Sequence, residues 1–308
     1  MLGRRDLASP SDERRQRGRK IPDLAPGGSR HGPSLFLHPA DSTVRPRNTR
    51  IGPAEGHERT SLLQPSGHRT TVDDVDGHQI DIIRLAWARE LGLPDRALDD
   101  RGARHVRVDD LEDRIRFVTI AGATALVGPS WAVERSRSCS DDELARSGGL
   151  LALAKDHSGR GSGPVELGWA ADFGSAVAVE EPLVSHEFEH VLALEAVCPP
   201  DDVAEARLTE KANWFTVVDD DHAPLASAGY LEWQGIIADM GTLTAPAARR
   251  RGYGATATQL ATNDALDAGL IPQWRAHRDN IASRRLATNL GYEELGTFVS
   301  IAVAPSTV

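Results

Sequence analysis

The chain has 308 residues, which is enough for two domains, each with a hydrophobic core of its own. Its 40% hydrophobic and 26% charged residues are ordinary for a soluble globular protein, and no apolar run is long enough to span a bilayer. Two cysteines, Cys139 and Cys198, give neither a disulfide framework nor a repeated metal spacing. Because no apolar signal segment follows Met1, we expect a cytoplasmic protein that is not bound to a membrane.

Charge is distributed unevenly along the chain. Residues 1–50 contain 11 of the 35 Lys and Arg residues and 5 of the 45 Asp and Glu residues. The rest of the chain therefore has 24 basic against 40 acidic residues, a net charge of −16. This excess of negative charge disfavours nucleic acid as a partner and favours a cationic ligand, such as an amine.

The first 71 residues are rich in Arg, Pro, Gly and Ser and have no helical or strand periodicity, so we expect a disordered basic tail. Residues 72–182 read as an N-terminal α/β region to which we assign no chemistry. Its predicted elements are a helix ending at Gly92, strands at 115–120 and 123–128, a helix after the capping box Ser140–Glu143, and a strand at 165–173.

Residues 183–308 form the second predicted domain. Two helices are expected first, one from Ser185 to about Ala196 and an acidic one from Asp201 or Asp202. They are followed by two paired strands, a strand that runs to Thr244, a helix that ends at Gly269, and then a strand, a helix and a final hairpin at 292–303.

A loop between that strand and the helix after it has the pattern Arg249-x-x-Gly252-x-Gly254. Such a loop turns successive backbone N–H groups toward one point at the positive end of a helix, where a pyrophosphate binds well, and glycine allows the phosphate to come close. Two glycines alone are explained equally well by turn chemistry.

The loop does not stand alone, because Asn280 follows it by about one helix and one strand, and Gly291-Tyr292 closes the next helix. This joint pattern resembles the GNAT (N-acetyltransferase) superfamily, most closely over residues 214–303. The resemblance implies an α+β domain with a mixed, mostly antiparallel sheet flanked by helices. Residues 72–182 would then add strands to that sheet or form a degenerate second lobe.

The resemblance also implies a cofactor site. In the family, the strand before the loop splays from the next strand, the pantetheine arm of acetyl-coenzyme A pairs with the open edge, and the loop binds the pyrophosphate. A backbone N–H near the strand end polarises the thioester carbonyl. Carried over to this chain, the cofactor-binding residues are Leu243, Thr244, Arg249, Arg250, Arg251, Gly252, Tyr253, Gly254, Ala255, Asn280 and Ser283.

The catalytic groups are less well defined by the pattern. The frequent family tyrosine acid, seven residues after the asparagine, is replaced by Ala287, and Tyr292 is either a packing aromatic or a substitute acid. The carboxylates nearest in sequence are Asp239 and Glu232, either of which could act as a general base through water. The predicted reaction is direct acetyl transfer from acetyl-CoA to a small cationic amine.

Two alternatives remain at this stage. The missing tyrosine allows a catalytically inactive coenzyme A sensor or partner-binding module. The run His186-Glu187-x-x-His190 is a literal zinc-peptidase motif if it lies on one helix, with Glu210 as a possible third ligand. We expect no metal, because the acyltransferase pattern matches more positions, in the expected order, than the zinc-peptidase motif does. The sequence does not determine the oligomeric state.

Overall fold

The structure is a computed structural model that describes residues 75–174 and 179–304. The predicted basic tail at 1–71 lies outside the described residues. Within the described part, no helix is long and apolar enough to cross a membrane.

The described residues form eight α-helices and ten strands. The helices are α1 (Gly77–Glu90), α2 (Ser130–Ser136), α3 (Asp141–Leu144), α4 (Ser147–Leu153), α5 (Phe188–Val197), α6 (Pro200–Ala206), α7 (Tyr253–Asp267) and α8 (Ile281–Asn289). The strands are β1 (His105–Val108), β2 (Arg114–Ile120), β3 (Ala123–Gly128), β4 (Val165–Trp169), β5 (Leu183–Ser185), β6 (Asn213–Val218), β7 (Pro224–Trp233), β8 (Ile237–Thr244), β9 (Ile271–His277) and β10 (Glu293–Ala302).

All ten strands form one sheet in the order β1-β3-β2-β10-β4-β9-β8-β7-β6-β5. Pairing is antiparallel except between β1 and β3 and between β8 and β9. The predicted fold class, a mixed and mostly antiparallel sheet flanked by helices, is confirmed. Strands from both sides of the predicted boundary at residue 183 share this sheet, and β4 lies between β9 and β10. The division into domains at that residue stays a prediction.

Helices cover both faces of the sheet at its C-terminal half. The small residues Ala257, Ala261 and Ala265 of α7 pack in one buried cluster with Met240 of β8. Leu243, three residues further along β8, belongs instead to a cluster with Val191 and Leu194 of α5. Since side chains alternate between the faces of a strand, α7 and α5 lie on opposite faces.

Two predicted elements differ from the structure. The predicted terminal hairpin is wrong: β10 is a single ten-residue strand that pairs with β2 on one side and β4 on the other. The predicted helix start at Ser185 is also wrong, because residues 183–185 are extended and pair with β6, and α5 begins at Phe188. Backbone hydrogen bonds to neighbouring strands thus override the local periodicity at both places.

Candidate functional site

The loop between β8 and α7 brings the start of the helix close to the end of the strand. Gly252 is the N-cap of α7 and has φ of 89°, a conformation that glycine adopts without strain. A Cβ on Gly254 would lie 2.6 Å from Thr244 Oγ1, so any larger residue here would force the Thr244 side chain to move. The first helical N–H to reach a carbonyl is that of Thr256, which bonds Gly252 O at 3.0 Å. The N–H groups before it form the unbonded first turn of the helix.

Strands β8 and β9 separate next to this loop. Their parallel pairing runs only from Ile237 opposite Ile271 to Asp239 opposite Gln273. Beyond that point β8 keeps its pairing with β7 as far as Thr244, while its other edge faces a cavity of about 620 Å³. The cavity is bordered by the start of α7, by α8 along its length and by α6. It therefore combines an open strand edge with the positive end of a helix.

Most of the predicted cofactor-binding residues line this one cavity. Arg251 is the exception: it does not line the cavity, and its guanidinium lies 5.3 Å from the centre of the Tyr253 ring. Arg249 lines it but is engaged by Asp202, at 2.5 Å, and by Thr244 O, at 3.3 Å from its Nε. The others that line it are Leu243, Thr244, Arg250, Gly252, Tyr253, Gly254, Ala255, Asn280 and Ser283.

Asn280 has two roles in the wall of the cavity. Its Oδ1 accepts a hydrogen bond from Ser283 N at 3.0 Å, which caps α8, and its Nδ2 donates to Glu205 Oε2 at 2.8 Å. The other oxygen of Glu205 accepts from His277 N at 3.2 Å, at the end of β9. Glu205 of α6 therefore connects the start of α8 to the end of β9.

The three predicted catalytic residues do not meet in the cavity. The Asp239 carboxylate is buried on the α6 side of β8 and contacts Lys211 Nζ at 2.6 Å and Arg275 Nε at 2.9 Å. Glu232 is exposed and lies opposite Ala238, toward the start of β8 and away from the loop. Neither carboxylate lines the cavity.

Tyr292 is a packing residue in this structure. It is 3% exposed, stands with its ring centre 5.4 Å from that of Trp274, and shares a 2.7 Å hydrogen bond with the Thr262 hydroxyl. Burial raises the pKa of the Tyr292 hydroxyl above its ordinary value, which makes it a poorer proton donor. Ala287, at the position of the missing tyrosine, is also buried.

The cavity also contains charged residues that the sequence did not single out. Asp202 and Glu205 come from α6, Arg275 from β9 and Arg285 from α8. The first two belong to the predicted acidic helix, but the local pattern does not indicate how that helix is oriented. Arg275 and Arg285 belong to a strand and a helix that were predicted, yet no motif distinguishes them from the other arginines of the chain.

The zinc-peptidase motif is not formed as a helical pair. His186 precedes α5, and its Nδ1 lies 2.7 Å from Trp214 O, whereas His190 is on the helix and its Nδ1 lies 2.7 Å from Ser185 Oγ. Glu187 is the N-cap residue between them. Among the described residues, no three His, Cys, Asp or Glu side chains come together as a metal site. The premise of two histidines on one helix face is therefore wrong.

Residues 219–300 match the family model of GNAT acetyltransferases. This match confirms the predicted family resemblance for the C-terminal half of the chain. It covers β7 to most of β10 and so includes the separated strands, the loop and α7. No curated protein matches the chain.

Several solved structures are similar to this chain over about half its length. A protein described as a GNAT-family acetyltransferase from Novosphingobium aromaticivorans is 18% identical, with a TM-score of 0.37 over 47% of this chain and 68% of its own. A GNAT-family acetyltransferase from Colwellia psychrerythraea is 16% identical, with a TM-score of 0.36 over 50% of this chain and 60% of its own. A GCN5-related N-acetyltransferase from Kribbella flavida is 22% identical, with a TM-score of 0.36 over 50% and 63%.

Proposed function

We propose that this protein transfers an acetyl group from acetyl-CoA directly to a small amine that is cationic in solution. The C-terminal half resembles GNAT acetyltransferases through residues 219–300. The observation that carries the proposal is the single cavity in which the open edge of β8 leads to the unbonded first turn of α7. An extended polar chain that ends in a pyrophosphate matches both features.

The start of α7 supports binding of the pyrophosphate. Its free N–H groups and the helix dipole favour an anion, and Arg250 at the cavity wall adds a full positive charge. Arg285 of α8 faces the same cavity and is available to a further phosphate of the cofactor. Arg249 is already paired with Asp202, so we assign it to holding the loop against α6.

The edge of β8 supports binding of the pantetheine arm. Its backbone groups from Met240 to Thr244 face the cavity, and N–H and C=O groups at a strand edge need partners. An extended chain with two amides can pair with such an edge as an added strand does. Asn280 is positioned on the opposite wall, next to Ser283, to bond the same chain.

The reaction follows from these contacts. The amine nitrogen attacks the thioester carbonyl carbon, the C–S bond breaks, and the sulfur leaves as coenzyme A thiolate, which takes up a proton. A protonated amine loses two protons overall, so the balanced reaction releases one proton to solvent. A backbone N–H near Leu243 stabilises the negative charge that develops on the carbonyl oxygen.

Glu205 is the carboxylate that we assign to proton removal from the amine. It lines the cavity between β9 and α8, whereas Asp239 and Glu232 do not. Among the described residues it forms no salt bridge, in contrast to Asp202, which is paired with Arg249. The acidic excess of the chain outside residues 1–50 supports a cationic acceptor, because negative charge raises the local concentration of cations.

The test is a coupled assay of thiol release and product mass. Acetyl-CoA is incubated with the full chain and a panel of amines, and thiol release is compared with a reaction that lacks an acceptor. We expect acceptor-dependent thiol release and the mass of an acetylated amine. Hydrolysis alone, with no acetylated product from any amine, would contradict acetyl transfer.

A second candidate is a coenzyme A-binding sensor without catalysis. It is favoured by two observations, the buried Ala287 in place of the family tyrosine and the absence of Tyr292, Asp239 and Glu232 from the cavity wall. Tight binding of acetyl-CoA without turnover of any amine in the same panel would favour this candidate over the enzyme.

A further inference from the structure

The Glu205 carboxylate crosses the gap that opens where β8 and β9 separate. Its helix, α6, lies against β8 so closely that a Cβ on Gly241 would clash with Ala206 O. The carboxylate nevertheless bonds the other side of the gap, at His277 N of β9 and at Nδ2 of Asn280, the N-cap of α8. It therefore bridges the two walls between which we place the pantetheine arm.

The His277 N–H belongs to the open edge of β9. The next N–H along the chain, that of Arg278, bonds Pro164 O beside the start of β4. β4 pairs with the opposite edge of β9, and successive N–H groups of a strand point to opposite edges. The His277 N–H thus points toward the separated β8, and Glu205 Oε1 accepts its hydrogen bond at 3.2 Å. It is a donor of the kind that an added strand uses.

Asn280 provides the second donor that Glu205 occupies. Its Oδ1 accepts from Ser283 N, so Nδ2 is the part of the side chain that is left for a ligand. Glu205 Oε2 accepts from this Nδ2 at 2.8 Å. Asn280 and Glu205 both line the cavity, and Asn280 is the residue that we assign to the pantetheine arm. The carboxylate and the arm therefore use the same donor.

The carboxylate and the arm cannot use these donors together. A backbone N–H has a single hydrogen, so His277 N serves one acceptor well and not two. A carbonyl oxygen of the arm would also be repelled by the carboxylate oxygens if both approached Asn280 Nδ2. An arm that pairs with the edge of β8 passes between β8 and Asn280, which is the space that the Glu205 side chain crosses.

We propose that Glu205 and the pantetheine arm compete for His277 N and Asn280 Nδ2, so that bound acetyl-CoA displaces the Glu205 carboxylate and leaves it open to the amine. This inference rests on the proposed function and specifies how its site is regulated. The displaced carboxylate has lost two donors that offset part of its charge, so it attracts an ammonium group more strongly. The group that removes the proton thus becomes available when the thioester is in place.

The test compares coenzyme A with a fragment that lacks the pantetheine arm. Adenosine 3′,5′-bisphosphate keeps the adenosine end of the cofactor but has no arm that could reach Glu205. Each is titrated calorimetrically into the full chain, as wild type and as Glu205→Ala. We expect Glu205→Ala to bind coenzyme A at least about threefold more tightly than the wild type, as for one net hydrogen bond. The two affinities for the bisphosphate should differ by less than about twofold.

Glu205→Gln separates the competition from the effect of charge. Alanine and glutamine both remove the negative charge, but the glutamine amide keeps one acceptor oxygen for Asn280. We therefore expect Glu205→Gln to bind coenzyme A within about twofold of the wild type and more weakly than Glu205→Ala. Glu189→Ala, on the exposed surface of α5, is the matched control and should leave both affinities unchanged. Alanine favours a helix, so Glu205→Ala should fold, which thermal unfolding verifies.

The outcomes separate the inference from the function on which it rests. Coenzyme A binding by Glu205→Ala that is equal to or weaker than that of the wild type overturns the competition and leaves the acetyltransferase in place. The same holds if Glu205→Gln or the bisphosphate shows the same gain in affinity, because the gain then reflects charge alone. An absence of coenzyme A binding by wild type and every variant overturns the proposed function, and the competition with it.

Discussion

Glu205 connects α6 to the end of β9, through His277 N, and to the start of α8, through Asn280 Nδ2. If it removes the proton from the amine, Glu205→Gln should lower kcat by about 10²- to 10⁴-fold, because glutamine keeps an acceptor oxygen but cannot take up a proton. The KM for acetyl-CoA should change little, since the amide can still bond Asn280. Steady-state kinetics with the best acceptor measures both constants.

The control for this substitution is Glu189→Gln, on the exposed surface of α5. It removes one negative charge without touching the cavity and should leave kcat unchanged. A kcat for Glu205→Gln within about twofold of the wild type would show that proton removal is not the role of Glu205.

At the scale of residues, the sequence predicts those site residues that belong to a recognisable motif. The loop from Arg249 to Ala255 and Asn280 were assigned from spacing, and all of them except Arg251 lie at one cavity. Glu205 and Arg275 were not assigned, because their place in the cavity depends on how α6 crosses β8. Asp239 is close to the loop in sequence, but it lies where β8 and β9 are still paired, and its carboxylate is held by Lys211 and Arg275.

β10 joins the two halves of the sheet, and Gly296 lies where its pairing changes register. A Cβ at this position would lie 2.3 Å from Thr119 O on β2, which is backbone and cannot rotate away. Gly296→Ala should therefore lower the free energy of unfolding by about 1–3 kcal/mol. Denaturant unfolding followed by circular dichroism measures this change.

Gly148→Ala is the matched control, because it adds the same methyl group to a helix where there is space for it. Gly148 lies in α4 with nothing within 4 Å of an added Cβ. The same methyl group should therefore leave stability unchanged or raise it by about 0.5–1 kcal/mol. An equal free energy of unfolding for Gly296→Ala and Gly148→Ala would contradict the close approach of β10 to β2.

At the scale of elements, the sequence predicts those that local patterns determine and not those that distant pairing determines. The capping box Ser140–Glu143 starts α3 as expected, and the segment 115–120 is within β2. The hairpin expected at 292–303 is instead one strand, because β2 and β4, both from the N-terminal region, pair with its two edges. No local feature of β10 indicates such partners.

Glu90 links distant parts of the molecule. Its carboxylate accepts hydrogen bonds from Trp233 Nε1 and Gln234 Nε2, each at 3.2 Å, and lies 3.8 Å from Arg116 Nη1 of β2. Burial raises the pKa of Glu90 above its ordinary value despite these contacts. The folded state therefore binds this proton more tightly than the unfolded state, and stability is lost as pH rises through the folded pKa.

Glu90→Gln removes this ionisation. The free energy of unfolding of the variant relative to the wild type should increase as pH rises from about 4, near the unfolded pKa of glutamate, to 7. Glu294→Gln is the control of opposite sign, because the pairing with Arg284 lowers the pKa of Glu294 and its contribution is lost as pH falls. Parallel pH trends for the two variants would contradict the burial of Glu90.

At the scale of the whole molecule, the sequence predicted the fold class and the family resemblance of the C-terminal half, both of which are confirmed. It left open whether residues 72–182 add strands to the same sheet, and the structure shows that they do, with β4 beside β9. The length and charge of the chain do not determine whether its two halves share a sheet. The order of strands in a sheet depends on contacts between residues far apart in the chain.

The most direct test of the central claim is a calorimetric titration of acetyl-CoA into wild type, Gly252→Asp and Gly269→Asp. Both glycines have positive φ, 89° and 75°, and lie at opposite ends of α7. Aspartate is therefore comparably strained at the two sites, but only at Gly252 does its carboxylate face the pyrophosphate. We expect micromolar or tighter binding by wild type and Gly269→Asp, and affinity at least about tenfold weaker in Gly252→Asp. Equal affinity of all three proteins, or no binding by wild type, would contradict a cofactor site at the start of α7.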